Sequence, residues 1–365
     1  MTTLASQPTE VLRSAPRRAM ASASIELLDD AANGQWDDYV ERHPAANLYH
    51  LRAWKTVAEQ AYGLRTRFLV ARDARRALCG VLPLFRIPRP LSPYLTTGIF
   101  GAYGAVLADD DHTARDLLLT ACGEVDRRDV EFLHVKHVGD LPLGAPLVRE
   151  DHWVTAMLDL GRSVEGLWQG LSSNMRWSVR YAERVGLKVV RGPAELGAFY
   201  DVLSENMLRK GAPIYGRAFF DSLVGALGAR ADVVTLRYQG RTVSGALVVS
   251  FRGVTYVPFA SSRPSAFRYR ANNLLFWEIA KGAIAAGDHT LDFGSSMRDS
   301  TSLDFKRGWH PRIVPIGSYL YAREGMKPAL LPTDSTVAQT TVKLWTRLSP
   351  RIAETLGPLA CRWIA

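Results

Sequence analysis

The sequence predicts an α/β (α+β) fold made of two similar units in tandem, each a mixed, mostly antiparallel sheet with flanking helices. Three observations carry this expectation. The chain has 365 residues, more than the ~100 to 200 that one ordinary domain uses. Displaced by 165 residues, His50 to Phe85 lies without a gap on Tyr215 to Ser250, with nine of 36 pairs identical, Arg52/Arg217, Gly63/Gly228 and Gly80/Gly245 among them. Typical residue frequencies give roughly two or three by chance. Each copy also reads as helix, Gly stop, strand, turn and second strand.

In the first copy the helix is "RAWKTVAEQAYG" and the strands are "TRFLVAR" and "LCGVLPLF". In the second they are "RAFFDSLVGALG", "DVVTLRY" and "VSGALVVSF". The boundary is expected near 150 to 165, where "GDLPLGAPLVREDHW" leads into the strand "VTAMLDL", which gives a first domain over 25–155 and a second over 156–325. A basic helix from about Asn174 to Val185 follows, then the strand "LKVVRG". "NNLLFWEIAKGAIAAG" is an amphipathic helix with Asn caps at its start and Gly287 as its stop, and it leads into the strand "TLDFG". Residues 1–24 read as a disordered lead-in, with arginines but no continuous apolar stretch of the signal-peptide kind. Residues 326–365 read as a linker followed by short amphipathic basic pieces interrupted by Pro350 and Pro358.

With 47% hydrophobic and 22% charged residues the composition is globular. An excess of 45 Lys+Arg over 36 Asp+Glu gives +9, which favours anionic partners such as nucleic acid, phosphorylated substrates or lipid headgroups. Cys79, Cys122 and Cys361 have neither paired spacing nor a nearby histidine pair, so neither a disulfide framework nor a zinc site is supported and a reducing cytoplasm is the simplest reading. No apolar run approaches the ~18 residues needed to span a bilayer, so membrane contact would be peripheral.

The sequence lacks GxSxG, HExxH, GxxxxGK[ST] and GxGxxG, the defining residues of serine hydrolases, zincins, P-loop phosphotransferases and Rossmann dehydrogenases. His134 and His137 in "FLHVKHV" point to opposite faces of a strand and read as polar strand residues rather than a metal pair. Arg263, Arg268 and Arg270 stand just ahead of the helix that opens with Asn272, where free N–H groups and the positive dipole end make a phosphate cradle; a solvated basic loop accounts for them equally. Arg176 and Arg180 share a helix face, with Trp177 and Tyr181 one position round, a combination that suits phosphate and base stacking. On spacing alone, a surface helix that buries Trp177 explains that pattern better. In "SLDFKRGW", read as a strand, Lys306 shares a face with Asp304, and can either meet an oxyanion or phosphate or pair with that carboxylate.

The ordered series "YHLRAW", "GVLPLF", "YGAVLADD", "NMRWSVRYAERVGLKV", "RANNLLFWEIAKGAIAAG", "LDFGSS" and "LDFKRGW" resembles the FemAB family of tandem GNAT-like acyltransferases, over about 45 to 325. It is most similar to the branch associated with the exosortase/PEP-CTERM exopolysaccharide system, and also to acyltransferases of cellulose and capsule clusters. The resemblance implies two GNAT-type domains and transfer of an acyl group, in the best-known relatives an aminoacyl group from aminoacyl-tRNA, onto an amine of a cell-envelope or polysaccharide precursor. It implies that Phe305 and Lys306 match a strand-borne pair that stabilises the donor and the tetrahedral intermediate, and that Asp109 matches a family aspartate. Trp54, Tyr103 and Asp292, in the matching motifs, and Arg298, in the loop after them, join Arg176, Arg180, Arg263, Arg268, Arg270 and Asn272 as candidate substrate-binding residues. The branch usually has Arg where this chain has Ser295, Gly in the loop that follows, and Gly where it has His310.

No metal or tightly bound cofactor is expected; aminoacyl-tRNA or acyl-CoA would be a co-substrate. Neither half carries the R/Q-x-x-G-x-G/A pyrophosphate loop of acetyl-CoA-using GNATs, which favours aminoacyl-tRNA. The missing helical arm of some tRNA-using relatives keeps acyl-CoA as the alternative. A third expectation is a catalytically inactive protein that binds the inner face of the plasma membrane or polysaccharide machinery, with its amphipathic tail as the anchor.

Overall fold

The computed structural model describes residues 23–29, 33–90, 92–127, 129–141, 146–326 and 336–364. The lead-in up to residue 22 and the linker over 327–335 lie outside the described residues. The first half runs β1 (Ser24–Leu27), α1 (Asn33–Arg42), α2 (Ala53–Tyr62), β2 (Arg65–Thr66), β3 (Leu69–Arg72), β4 (Leu78–Leu82), β5 (Phe85–Ile87), β6 (Tyr94–Thr96), β7 (Leu107–Ala108), α3 (Asp111–Arg127) and β8 (Phe132–Val138). β9 (Val148–Asp159) leads into α4 (Val164–Gly170), α5 (Ser173–Arg184), β10 (Lys188–Arg191), α6 (Leu196–Arg209), α7 (Arg217–Leu227), β11 (Ala231–Tyr238), β12 (Arg241–Phe251) and β13 (Val254–Ser262). α8 (Ala271–Ala285), β14 (Thr290–Met297), α9 (Thr301–Arg307), β15 (Arg312–Ala322), α10 (Thr336–Trp345) and α11 (Pro350–Ile364) complete the chain.

The displaced repeat corresponds to equivalent elements. α2 and α7 both end at glycines in the left-handed region, Gly63 at φ 58° and Gly228 at φ 57°, where a side chain would be strained. The two helices pack together, with the Tyr62 and Phe219 rings 6.0 Å apart and Ser222 donating to Gln60 at 3.1 Å. The first copy is more broken than expected. Its first strand divides at Arg67 and Phe68, and its second divides after Leu82, where Pro83 supplies no N–H. The pieces enter different sheets, β1-β3-β4-β7 and an eleven-stranded sheet ordered β10-β11-β12-β13-β14-β9-β15-β8-β6-β5-β2.

That larger sheet joins the halves. β9 runs through the division expected at 155/156, and β15, the last strand, lies between β9 and β8 of the first half. Among the described residues two strand pairs are parallel, each held by three rungs: Tyr94 to Thr96 of β6 on Phe132 to His134 of β8, and Val254 to Tyr256 of β13 on Thr290 to Asp292 of β14. A helix, α3 or α8, crosses over in each case, as parallel neighbours require. Past the third rung each ladder ends; after β6 the chain stays on β8 for one more step, Thr97 donating to the His134 carbonyl at 3.1 Å and accepting from the Lys136 N–H at 3.0 Å. α6 and α7 cover one face of the sheet with a core containing Phe199, Phe219, Phe220, Leu247 and Tyr256. α5 and α8 cover the other with Val179, Leu275, Phe276, Phe293 and Trp309.

Two local expectations are corrected. Residues 301–307, read as a strand, form helix α9, because Ser300 caps it by accepting from the Leu303 N–H at 3.3 Å. α8 begins at Ala271 without side-chain capping; its N-cap is Arg270 at φ 57°, a left-handed conformation uncommon for a residue with a Cβ.

Candidate functional site

The two openings face one cavity of about 530 Å³. The second-half opening contributes Pro258, Phe259 and Ala260 of β13 and Ser295 of β14, all beyond the last paired rung. The first-half opening contributes Phe100 to Tyr103 and, from β8, His134 and Lys136, which share a face at period two. Leu203 and Met207 of α6 and Ile316 and Ser318 of β15 complete much of the wall. The space therefore has an apolar side, to which Pro258, Phe259 and Ala260 contribute, and a polar corner where β8 meets β15.

In that corner, His134 Nε2 lies 2.6 Å from Ser318 Oγ, and burial holds the imidazole's pKa well below its usual value, so the ring is neutral. Lys136 Nζ donates to the Gly98 carbonyl at 3.1 Å, and burial lowers its pKa to about 8. Tyr103 lines the cavity and donates to Asp292, which also accepts from Thr155 Oγ1 at 2.5 Å and the Gly294 N–H at 2.8 Å. Asp292 is fully buried. Burial raises its pKa against those hydrogen bonds, which pull the other way. It acts as a junction between the units rather than as a surface group.

Lys306 lies on the other face of the second-half opening. Its Nζ donates to Gly294 O at 2.6 Å, Ser296 Oγ at 2.8 Å and Ser295 O at 3.2 Å. Burial lowers its pKa to about 8, with Asp292 opposing the shift. Asp304 pairs with Arg307 at 3.0 Å, not with Lys306. The lysine thus pins the bulge between Asp292 and Ser295, where β14 slips register against β9. Gly294 sits there at φ 77°, and a Cβ would come 2.7 Å from the Val257 carbonyl. Phe305 is half-buried, 5.5 Å from the Phe276 ring.

On the Lys306 side of the sheet an arginine and aromatic surface has formed. α5 buries Met175, Ser178, Val179 and Ala182, so Trp177, expected in the core, is 47% exposed. It stacks on Tyr181 at 5.2 Å and 11°, and the Arg270 guanidinium lies 5.7 Å from its ring. Arg268 lies over Tyr269 at 4.6 Å and Arg180 over Trp168 at 5.2 Å. A groove of about 540 Å³ follows α5 past Arg176, Trp177, Arg180 and Arg184. Arg176 also spends part of its guanidinium on the Leu171 and Gln169 carbonyls.

Other candidates stand elsewhere. Trp54 is 1% exposed and donates to the Leu48 carbonyl at 3.1 Å, which makes it a core residue. Arg263 is spent on Glu205 at 2.7 Å and on the Thr242 carbonyl, and so leaves the expected cradle. Asn272 Oδ1 accepts from Ser262. Arg298 is exposed on the turn after β14. Asp109 accepts from Tyr39 at 2.8 Å, with His43 3.8 Å away, and is absent from the cavity lining. The sequence reading missed Lys136 and Ser318 and set His134 aside. The available signal was the alternation of His134 and Lys136 on one strand face, which becomes informative only once β8 borders a cavity.

Residues 170–307 match the family described as acetyltransferase (GNAT) domain. No protein of curated function matches the chain in sequence. Among solved structures the chain is similar to FemX at TM-score 0.65 and 14% identity, over 82% of this chain and 97% of that one. It is similar to the C-terminal domain of a putative lysylphosphatidylglycerol synthetase from Agrobacterium fabrum at TM-score 0.55 and 14% identity, over 80% and 91%. A tandem GNAT protein from the clavulanic acid biosynthesis pathway gives TM-score 0.54 and 12% identity, over 84% and 100%. At these identities the likeness is one of fold: two tandem GNAT-like units of mixed α/β architecture.

Proposed function

We propose that the chain is an N-acyltransferase that moves an aminoacyl or acyl group from a nucleotide-bearing donor to an amine of a cell-envelope or polysaccharide precursor. The observation that carries this reading is the second-half opening. β13 and β14 part after Tyr256 and Asp292, leaving unpaired backbone between the basic, aromatic face of α5 and α8 and the cavity. A donor held by its phosphates at Arg268, Arg270 and the start of α8, with a base against Trp177, would pass its acyl group through the opening towards Ser295.

An acceptor amine in the cavity attacks the acyl carbonyl, the C–O bond of an ester or C–S bond of a thioester breaks, and the leaving oxygen or sulfur takes up a proton as the amine loses one. The Lys306 ammonium, behind Gly294 and Ser295, supplies positive potential where the oxyanion develops and fixes the backbone around it. Neutral His134 and the Lys136 amine, whose pKa stands near 8, face the acceptor and suit proton exchange with an amine.

The aminoacyl ester of tRNA is the preferred donor, on the exposed stacking pair and the arginine groove. An acyl-CoA thioester is the second reading, favoured by the acetyltransferase (GNAT) match. Incubating the protein with labelled aminoacyl-tRNA and, separately, acyl-CoA in the presence of amine acceptors tests the proposal. Amide product from one donor supports it, consumption of acyl-CoA with inert tRNA reverses the donor order, and absence of product from both refutes the acyltransferase reading.

A further inference from the structure

α11 presents two opposed faces, and the tertiary structure uses one of them. Ala353, Gly357 and Cys361, four residues apart in succession, are buried, and Glu354 accepts from Ser204 of α6 at 2.9 Å. A Cβ on Gly357 would meet the Ile214 carbonyl at 2.6 Å, so this face is packed as closely as backbone allows. The helix runs unbroken through Pro358, contrary to the expected interruption; the proline ring packs beside Gly216.

The other face carries Ile352, Leu356, Leu359 and Trp363, exposed by 49, 41, 56 and 45%. At 100° per residue these four fall within a wedge of about 60°, opposite the packed face. Arg351 and Arg362 border the wedge, and Lys343 and Arg347 precede it, all exposed. α10 adds Leu344, 59% exposed. No helix among the described residues is long and apolar enough to cross a membrane, and α11 has 15 residues.

We infer that α11 is an interfacial helix that docks the protein on an anionic lipid surface, with Ile352, Leu356, Leu359 and Trp363 inserted among the acyl chains and the flanking arginines against the headgroups. The charge argues for lipid over a second copy of the chain. A self-complementary contact would bring like arginines together, whereas an anionic bilayer neutralises them, and the +9 of the chain as a whole acts in the same direction. A tryptophan at one end of an apolar stripe suits the headgroup boundary. Helix α11 in this role lies in the plane of the surface and is independent of the acyl-transfer reading.

Flotation of the full chain with vesicles of phosphatidylcholine alone or mixed with phosphatidylglycerol tests the inference. Wild type should float with the anionic vesicles, release at high salt, and stay behind with the neutral ones. Leu356→Glu/Leu359→Glu should lower the bound fraction at least ~10-fold with little change in melting temperature, because both side chains are exposed, by 41 and 56%. Arg351→Glu/Arg362→Glu should abolish the preference for anionic vesicles. Failure of wild type to float, equal binding by the leucine variant, or an oligomer in light scattering that the leucine variant disperses would each overturn it, the last by assigning the face to a second copy.

Discussion

The ammonium of Lys306 lies 2.6 Å from the carbonyl oxygen of Gly294, and that contact ties the short helix α9 to the bulge at which β14 leaves its parallel partner. The same charge therefore has a structural duty and faces the space where an acyl oxyanion would form. These duties separate with pH.

Burial puts the Lys306 pKa near 8, below the ordinary 10.5. Between about 8 and 10.5 this side chain holds more of its proton in the unfolded chain than in the folded one, so its contribution to stability rises with pH across that window. Turnover should fall around pH 8, where the folded protein loses the ammonium, ahead of most of that stability window. Lys306→Met should lower turnover ~10²-fold or more and remove that contribution; Lys136 and Lys210 act in the same sense, while the buried Cys122 and Cys361 thiols, pushed up to about 12, act against it above their ordinary value of 9.0. Thermal melts and rates measured from pH 7 to 10.5 check both signs.

Trp177→Ala and Arg270→Ala act on the donor side. Loss of a stacking face costs roughly 1–3 kcal/mol, so the donor KM should rise about 10-fold or more while kcat changes little. Arg270→Ala should also reduce the salt dependence of donor binding. Steady-state kinetics at two salt concentrations separate these outcomes from a loss of fold.

Asp292 joins Tyr103, Thr155 and the Gly294 N–H in the interior. Asp292→Ala strands those three donors and should cost about 3 kcal/mol or more, at roughly 1–3 kcal/mol for each stranded group. Asp292→Asn, neutral and of the same shape, should cost well under half of that. Because burial raises its pKa, wild type loses stability as pH rises from 3.8 through the folded-state value, and the Asn variant should lack that slope. Urea melts across acidic pH decide it.

Asp109, matched to a family aspartate in sequence, lies with Tyr39 and His43 outside the cavity lining. Asp109→Asn should leave turnover within about 3-fold, since an exposed ion-pair partner contributes little. A loss of 100-fold in a folded variant would place this carboxylate in the reaction.

Much of the second half was legible in the sequence. Its helices α5, α7 and α8 and strands β10 to β12 stand close to where periodicity and glycine stops put them. The first half was less so, because Pro83 and the short β2 divide what reads as one hairpin between two sheets. α9 was hidden by its length. Seven residues bracketed by Ser300 and Gly308 make under two turns, too few to show a helical period, and alternation of Leu303 and Phe305 imitates a strand. The site was legible at Lys306 and at the α5 arginines. The polar corner was not, since Ser318 meets His134 only through pairing of β15 with β8, 184 residues apart.

The most direct test is where a donor's acyl group lies. Aminoacyl-tRNA and acyl-CoA carrying a diazirine in the acyl group, irradiated on the protein and mapped by peptide mass spectrometry, should label residues 257–262 of β13 or 293–296 of β14. Label confined to the first-half opening, or to surfaces remote from both strands, would contradict acyl transfer through the second opening.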